Sequence, residues 1–136
     1  MTHHVVQFSR GEGEFRIARA FPNEPGSPRA ARRFITNALQ ERGWGERLID
    51  AAALTVTELA SNAIQHAHSA FAVSLSAGLR GVRLEVRDAD PISPGRAPLN
   101  PMSEAGRGLC LLDGVAERWG VERLPTGKVV WVELGH

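Results

Sequence analysis

The stretch that most constrains the fold is residues 71–88, where apolar and polar side chains alternate on both sides of a short turn. The first run reads FAVSLSAGL and the second reads VRLEVRD, with Arg80-Gly81 between them. Alternation with a period of two is typical of a strand that buries one face, and so short a connection joins antiparallel neighbours. The sequence therefore predicts a β-hairpin in this stretch.

The rest of the chain surrounds this hairpin with two further strand pairs and a block of helical spacing. In chain order the predicted elements are strands at 4–8 and 14–21, helices from Ser27 to about Arg42 and from Leu48 through Ile64, strands at 71–79 and 82–88, a short helix at 109–115, and strands at 118–123 and 128–134. Hairpins dominate, and helices do not alternate singly with strands. This order predicts an α+β, two-layer sandwich with a mostly antiparallel sheet and helices packed on one face. We expect a single domain over residues 1–136.

Composition excludes several classes of function. The net charge of +1 gives no general attraction to nucleic acid or to an anionic membrane. Cys110 is the only cysteine, which excludes an internal disulfide and a cysteine-based metal site. The chain lacks the apolar run of a signal peptide or a membrane span. We therefore expect a cytoplasmic protein with no membrane partner and no direct nucleic-acid partner.

The second predicted helix carries a line of polar residues opposite its apolar stripe. At about 100° per residue, Glu58, Asn62, Gln65 and Ser69 fall on one side, with His66 beside them. An asparagine carbonyl oxygen suits Mg²⁺, and a carboxylate one turn earlier could polarise a water or a hydroxyl. An isolated E-x-x-x-N spacing is more often a solvated helix face, so the spacing alone leaves both explanations open.

Three further signals follow along the chain. Asp88 ends an apolar strand and opens a loop, about residues 89–107, that contains four prolines between Ala89 and Ala105. A loop of this length inside a compact domain is typically a functional lid or disordered. Gly106-Arg107-Gly108 then enters a helix, where backbone N–H groups could approach an anion. Each signal also has an ordinary explanation: a turn-capping Asp, a loop-to-helix junction, and a hairpin turn at Thr126-Gly127.

Taken together, the order of these signals resembles the histidine-kinase-like (GHKL, Bergerat-type) ATPase superfamily. Within it, the chain is most similar to the stand-alone anti-sigma-factor serine/threonine kinases of actinobacterial type. The phrases that carry the likeness are RRFITNAL, LTVTELASNAIQHA, VRLEVRDADPISP, GRGLCLLDGVAERWG and PTGKVVWVEL, which span most of residues 28–134.

The resemblance implies ATP and Mg²⁺ as cofactors and assigns roles to individual residues. Asn62 would bind the Mg²⁺ that bridges the phosphates, and Glu58 would be the catalytic base toward a serine hydroxyl. Asp88 would bind the adenine amine, with Thr126 near the adenine. The remaining implied nucleotide contacts are Gly106, Gly108 and Leu109, and, as second-rank phosphate contacts, His66 and Arg107.

The resemblance also implies partners: a sigma factor, a STAS-type anti-sigma antagonist and a second copy of the chain, met through the N-terminal hairpin and first helix. The sequence departs from the family at its first glycine box. The family has D-x-G-x-G, whereas this chain has Asp88-Ala89-Asp90-Pro91, and its next glycine is Gly95. An alternative therefore stays open: a catalytically weak or inactive nucleotide-binding protein that sequesters a regulatory partner.

Overall fold

The computed structural model describes residues 5–9, 15–78, 80–89 and 116–135. Its elements in chain order are β1 (Val5–Ser9), β2 (Phe15–Phe21), α1 (Ser27–Glu41), α2 (Glu46–Asn62) continued by a π-helical turn (Ala63–Ala67), β3 (Phe71–Gly78), β4 (Gly81–Asp88), β5 (Ala116–Leu124) and β6 (Gly127–Gly135). The predicted α+β class is confirmed. The lid loop, apart from Ala89, and the short helix predicted at 109–115 lie outside the described residues.

The strands form a six-stranded sheet in the order β1-β2-β3-β4-β6-β5. Every described pair is antiparallel, and the three predicted hairpins are present. Among the described strands, the one pair of neighbours not consecutive in sequence is β4 with β6, so the last hairpin docks on β4 through its second strand. This order brings the end of β4 beside the start of β6.

The core lies between the two helices and one face of the sheet. Leu84 and Val86 of β4 meet the buried face of the helical layer, which includes Ile35 and Val56, and all four side chains are at most 1% exposed. Burying a side chain of this size contributes about 1.5–3 kcal/mol. On the other face, the alternate residues of β2, β3 and β4 are half-exposed or exposed. The predicted two-layer arrangement, with helices on one face, is confirmed.

A cluster of charges ties β4, β5 and β6 together on the outer face. Glu133 accepts hydrogen bonds from Arg118 at 2.6 and 2.8 Å and from Arg83 at 3.0 Å. The Arg83 guanidinium also binds Glu85 and lies over the Trp131 ring, 4.4 Å from its centroid. The two hydrogen bonds from Arg118, followed by the one from Arg83, hold the pKa of Glu133 below its ordinary value.

The polar line predicted on the second helix is interrupted. The α-helix ends at Asn62, a π-helical turn follows, and His68 then takes a left-handed conformation with φ 51° and ψ 39°. Ser69 therefore lies beyond the helix, and its hydroxyl accepts a hydrogen bond from the backbone N–H of Ala89 at 3.2 Å. The predicted alignment was wrong for Ser69 because a π turn bonds i to i+5, so the spacing of a regular α-helix does not extend past Asn62. No described helix is long and apolar enough to cross a membrane.

Candidate functional site

Asn62 sits at the junction where α2 turns into the π-helical segment. Its side-chain nitrogen Nδ2 is buried and has no hydrogen-bond partner among the described residues. More than nine in ten buried polar groups are paired, and leaving one unpaired costs about 1–3 kcal/mol. π turns within helices occur frequently at functional sites. The Asn62 carboxamide is therefore a group that a ligand could complete.

Glu58 lies one helical turn before Asn62 and is half-buried. Side chains four residues apart on an α-helix are neighbours, so both can reach one target. No described residue forms a hydrogen bond or an ion pair with the Glu58 carboxylate, unlike that of Glu133. The stripe on the opposite side of α2, which includes Leu59 and Ala60, is buried in the core and fixes the orientation of this polar edge.

Asp88, the last residue of β4, forms a buried ion pair. Its Oδ2 lies 2.9 Å from Nζ of Lys128, and the two side chains are only 4% and 5% exposed. The two residues stand directly opposite each other in the β4–β6 register, on the face that carries Val86 and Val130. The carboxylate is thus held in place by a cation from the neighbouring strand.

Sequence reasoning missed Lys128 as a site residue. It is the only lysine of the chain and stands at a core-facing position in the otherwise apolar run KVVWV. A single charged residue in the buried alternation of a strand is the signal that could have identified it, because a buried lysine needs a partner.

The turn before β6 brings Thr126 next to Asp88. Gly127 has a φ of +153°, and a Cβ atom there would collide with the Asp88 carbonyl oxygen. Only glycine therefore allows this turn to approach the end of β4 so closely. Thr126 and Asp88 line one depression of about 450 Å³. Its other lining residues include Ala72 and Arg87 of the outer sheet face, whereas the Asp88 carboxylate lies on the core face.

The segment after α2 returns to the same end of the sheet. The hydrogen bond between Ser69 and Ala89 joins the helix exit to the residue after Asp88, and Phe71 is the register partner of Asp88 on β3. The structure thus places the end of α2 and its π turn, which carries the exposed His66, near the end of β4 at Asp88 and the β5–β6 turn at Thr126. The other predicted site residues, Gly106, Arg107, Gly108 and Leu109, lie outside the described residues.

Comparison with known protein families identifies the family to which this domain belongs. The profile of the histidine kinase-like ATPase domain matches residues 21–134, which is most of the chain and includes every described element from α1 onward except the last residue of β6. The chain belongs to the histidine kinase-like ATPase domain family. Membership supports an ATP-binding function for it. A comparison with curated proteins gives no match.

The residues of this histidine kinase-like ATPase domain suit a metal ion that is coordinated mainly by a bound nucleotide and by water. Among the described residues, no group of three or more His, Cys, Asp or Glu side chains is arranged to hold a metal ion alone. Mg²⁺ needs few protein ligands, because it keeps several waters and shares substrate phosphates. The Asn62 carboxamide oxygen, with Glu58 one turn away, suits that kind of binding, and Nδ2, which has no partner among the described residues, could donate to a phosphate oxygen or a metal-bound water.

Proposed function

We propose that this chain is an ATP-dependent serine/threonine kinase of a partner-switching system. It binds a sigma factor and phosphorylates a STAS-type antagonist protein. The single observation that carries the proposal is the pairing, in a histidine kinase-like ATPase domain, of Asn62, whose buried Nδ2 has no partner among the described residues, with a Glu58 carboxylate that no described side chain binds. A domain that only bound nucleotide would need the first group and not the second.

Asn62 is assigned to ATP and Mg²⁺. The side-chain oxygen is the hard, neutral ligand that Mg²⁺ takes, and the unpartnered Nδ2 is a donor for a phosphate oxygen or a metal-bound water. The second-rank residue His66 lies on the π turn that follows. By resemblance, Gly106, Gly108 and Arg107 meet the phosphates, and Leu109 packs behind them.

Glu58 is assigned as the catalytic base. The hydroxyl oxygen of the acceptor serine forms a bond to the γ-phosphorus, the bond from that phosphorus to the ADP oxygen breaks, and Glu58 takes the serine proton. Phosphoryl transfer asks a protein mainly for positioning and charge stabilisation, so few residues are needed. A positioned base contributes about 10²–10⁴-fold to such a rate.

Asp88 is assigned to the exocyclic amine of adenine, with Thr126 beside it. A carboxylate has about four acceptor positions, so it can accept a hydrogen bond from an amine while it binds Lys128. A carboxylate accepts hydrogen bonds from an amine and repels the carbonyl oxygen of guanine. Lys128 is therefore a positioning residue in this proposal.

A second candidate function is a nucleotide-binding protein that sequesters a partner without phosphorylating it. It is favoured by Asp88-Ala89-Asp90-Pro91, which stands where the kinases have D-x-G-x-G. The absence of those glycines removes backbone freedom beside the adenine site, whereas Glu58 and Asn62 are retained.

The deciding experiment is phosphotransfer from γ-labelled ATP to a purified STAS-type antagonist. We expect Glu58→Gln to lower the rate at least about 100-fold with ATP affinity preserved, because only the base is lost. The matched control is Glu46→Gln, an exposed position at the start of the same helix. A wild-type rate for Glu58→Gln would show that the base is wrongly assigned. No transfer by the wild-type chain, with ATP binding intact, would support the second candidate.

A further inference from the structure

Among the described residues, the sheet is wider than the helical layer that covers it. Six strands spaced about 4.8 Å apart occupy about 29 Å from edge to edge, whereas the two described helices, packed up to 10 Å apart, cover about 20 Å. On the β2 side this leaves a groove of about 540 Å³ between α1 and the inner face of β2. We call it the α1–β2 groove.

Part of the lining of the α1–β2 groove is apolar. Phe15 and Ile17 of β2 form one wall, and Ala30, Phe34 and Ala38 of α1 form the other. The three α1 positions are spaced at intervals of four, so they lie on one stripe of the helix. Phe34 and Ala38 are only partly buried against the core. This apolar part of the lining can accept an aliphatic or aromatic side chain of a partner.

The charged residues of the groove are mostly cationic. Arg19, Arg33 and Arg42 line it together with one acid, Glu41. No described carboxylate pairs with any of the three arginines. Arg19 Nε is also buried without a hydrogen-bond partner among the described residues. A buried guanidinium N–H without an acceptor is a costly arrangement that an incoming carboxylate would relieve.

Two of these guanidinium groups are already held in position by rings. Arg42 lies over Phe15 with its Cζ 4.3 Å from the ring centroid, and Arg19 lies over Phe21 at 4.7 Å. Stacking fixes the plane of a guanidinium and leaves its N–H edge for bidentate contact with a carboxylate. Because these side chains are already ordered, they lose less conformational entropy when a partner binds.

We infer that the α1–β2 groove docks an acidic segment of a partner protein, one that places an Asp or Glu beside an aliphatic or aromatic side chain. A second copy of this chain is a poorer occupant, because a two-fold contact centred on the groove would bring three arginines against three arginines. The inference concerns a surface and not the nucleotide, so its failure would leave the proposed function standing.

The test is selection of a phage-displayed library of random dodecapeptides on the full chain. We expect enriched peptides to carry Asp or Glu next to Leu, Ile or Phe. The best peptide, synthesised and labelled, should bind at least about tenfold more weakly to Arg33→Glu/Arg42→Glu. The matched control is Arg29→Glu/Arg32→Glu, which has the same charge change at exposed positions of the same helix outside the groove. It should weaken binding less than about threefold.

Three results would overturn the inference. The first is enrichment of peptides without acidic residues, or failure to enrich any peptide. The second is equal loss of binding in the two double variants, which would indicate general charge attraction. The third is a wild-type dimer in sedimentation that Arg33→Glu/Arg42→Glu dissociates, which would make the groove a self-interface. A change of the peptide's acid to its amide should reproduce the loss seen in the groove variant.

Discussion

Breaking the Asp88–Lys128 pair from one side should be far more costly than removing both charges together. The charges are 2.9 Å apart and both side chains are at most 5% exposed. At an effective dielectric constant of about 20, their Coulomb attraction is about 6 kcal/mol, set against the desolvation of two ions. Lys128→Met removes the cation that pairs with a buried carboxylate, and Asp88→Asn removes the anion that pairs with a buried ammonium. Each should lower the free energy of unfolding by about 3–5 kcal/mol.

The double variant, Asp88→Asn with Lys128→Met, buries no lone charge and should cost no more than either single variant. Urea unfolding followed by circular dichroism gives the four free energies of the cycle, and the coupling should be about 3 kcal/mol or more. In thermal scans each single variant should melt roughly 10–20 °C lower.

The comparison pair for this cycle is Arg118 with Glu133. Their contact is shorter, 2.6 Å, but the Arg118 side chain is 70% exposed. Exposed pairs couple by about 0.2–1 kcal/mol, so the same cycle on Arg118→Met and Glu133→Gln should give a small value. If Asp88 and Lys128 also coupled by less than about 1 kcal/mol, with additive effects, the argument from burial would be refuted.

Three further predictions concern pH, the turn before β6 and the choice of base. The pKa of Glu133 is lowered in the fold, chiefly by Arg118, so its stabilisation is present above the unfolded pKa and is lost as pH falls through the folded pKa. The wild-type chain should therefore lose more stability than Glu133→Gln below about pH 4.5, measured by urea unfolding at each pH, and parallel profiles would contradict this. Gly127→Ala should cost at least about 2 kcal/mol in the free energy of unfolding, because of its positive φ and the collision with the Asp88 carbonyl. Gly26→Ala, which faces open space, is the control, and equal losses in the two would show that the close approach is not required. Asp88→Asn should reduce the preference for ATP over GTP at least about tenfold in competition titrations, because an amide can donate to the guanine carbonyl, and an unchanged preference would remove Asp88 from base recognition.

The sheet and helices were predictable because their signals are local. Alternation in residues 71–88 and the glycine-containing turns define the hairpins, and the strands fall within about two residues of their predicted bounds. Helical spacing likewise defined α1 and α2. The docking of β6 on β4 was not predictable, since it depends on packing between segments distant in sequence.

Two features of the site could not be predicted from the sequence, and the physical reasons differ. The π turn after Asn62 retains apolar residues such as Ile64 at helical spacing, so nothing in the pattern marks the change of hydrogen bonding. The Asp88–Lys128 pair depends on cross-strand register, which the side-chain pattern of each strand alone does not determine. The roles of Glu58 and Asn62 came from resemblance, and they stay predictions.

The measurement that tests the central claim most directly is calorimetric titration of the full chain with ATP, with Mg²⁺ and with EDTA. We expect wild-type binding to depend on Mg²⁺. Asn62→Ala should weaken Mg²⁺-dependent binding at least about tenfold, a loss of about 1.4 kcal/mol or more. The control is Ser61→Ala, the half-buried neighbour on the same helix, which should bind ATP like the wild-type chain. Wild-type, Mg²⁺-dependent affinity in Asn62→Ala would contradict the assignment of this helix end to the nucleotide.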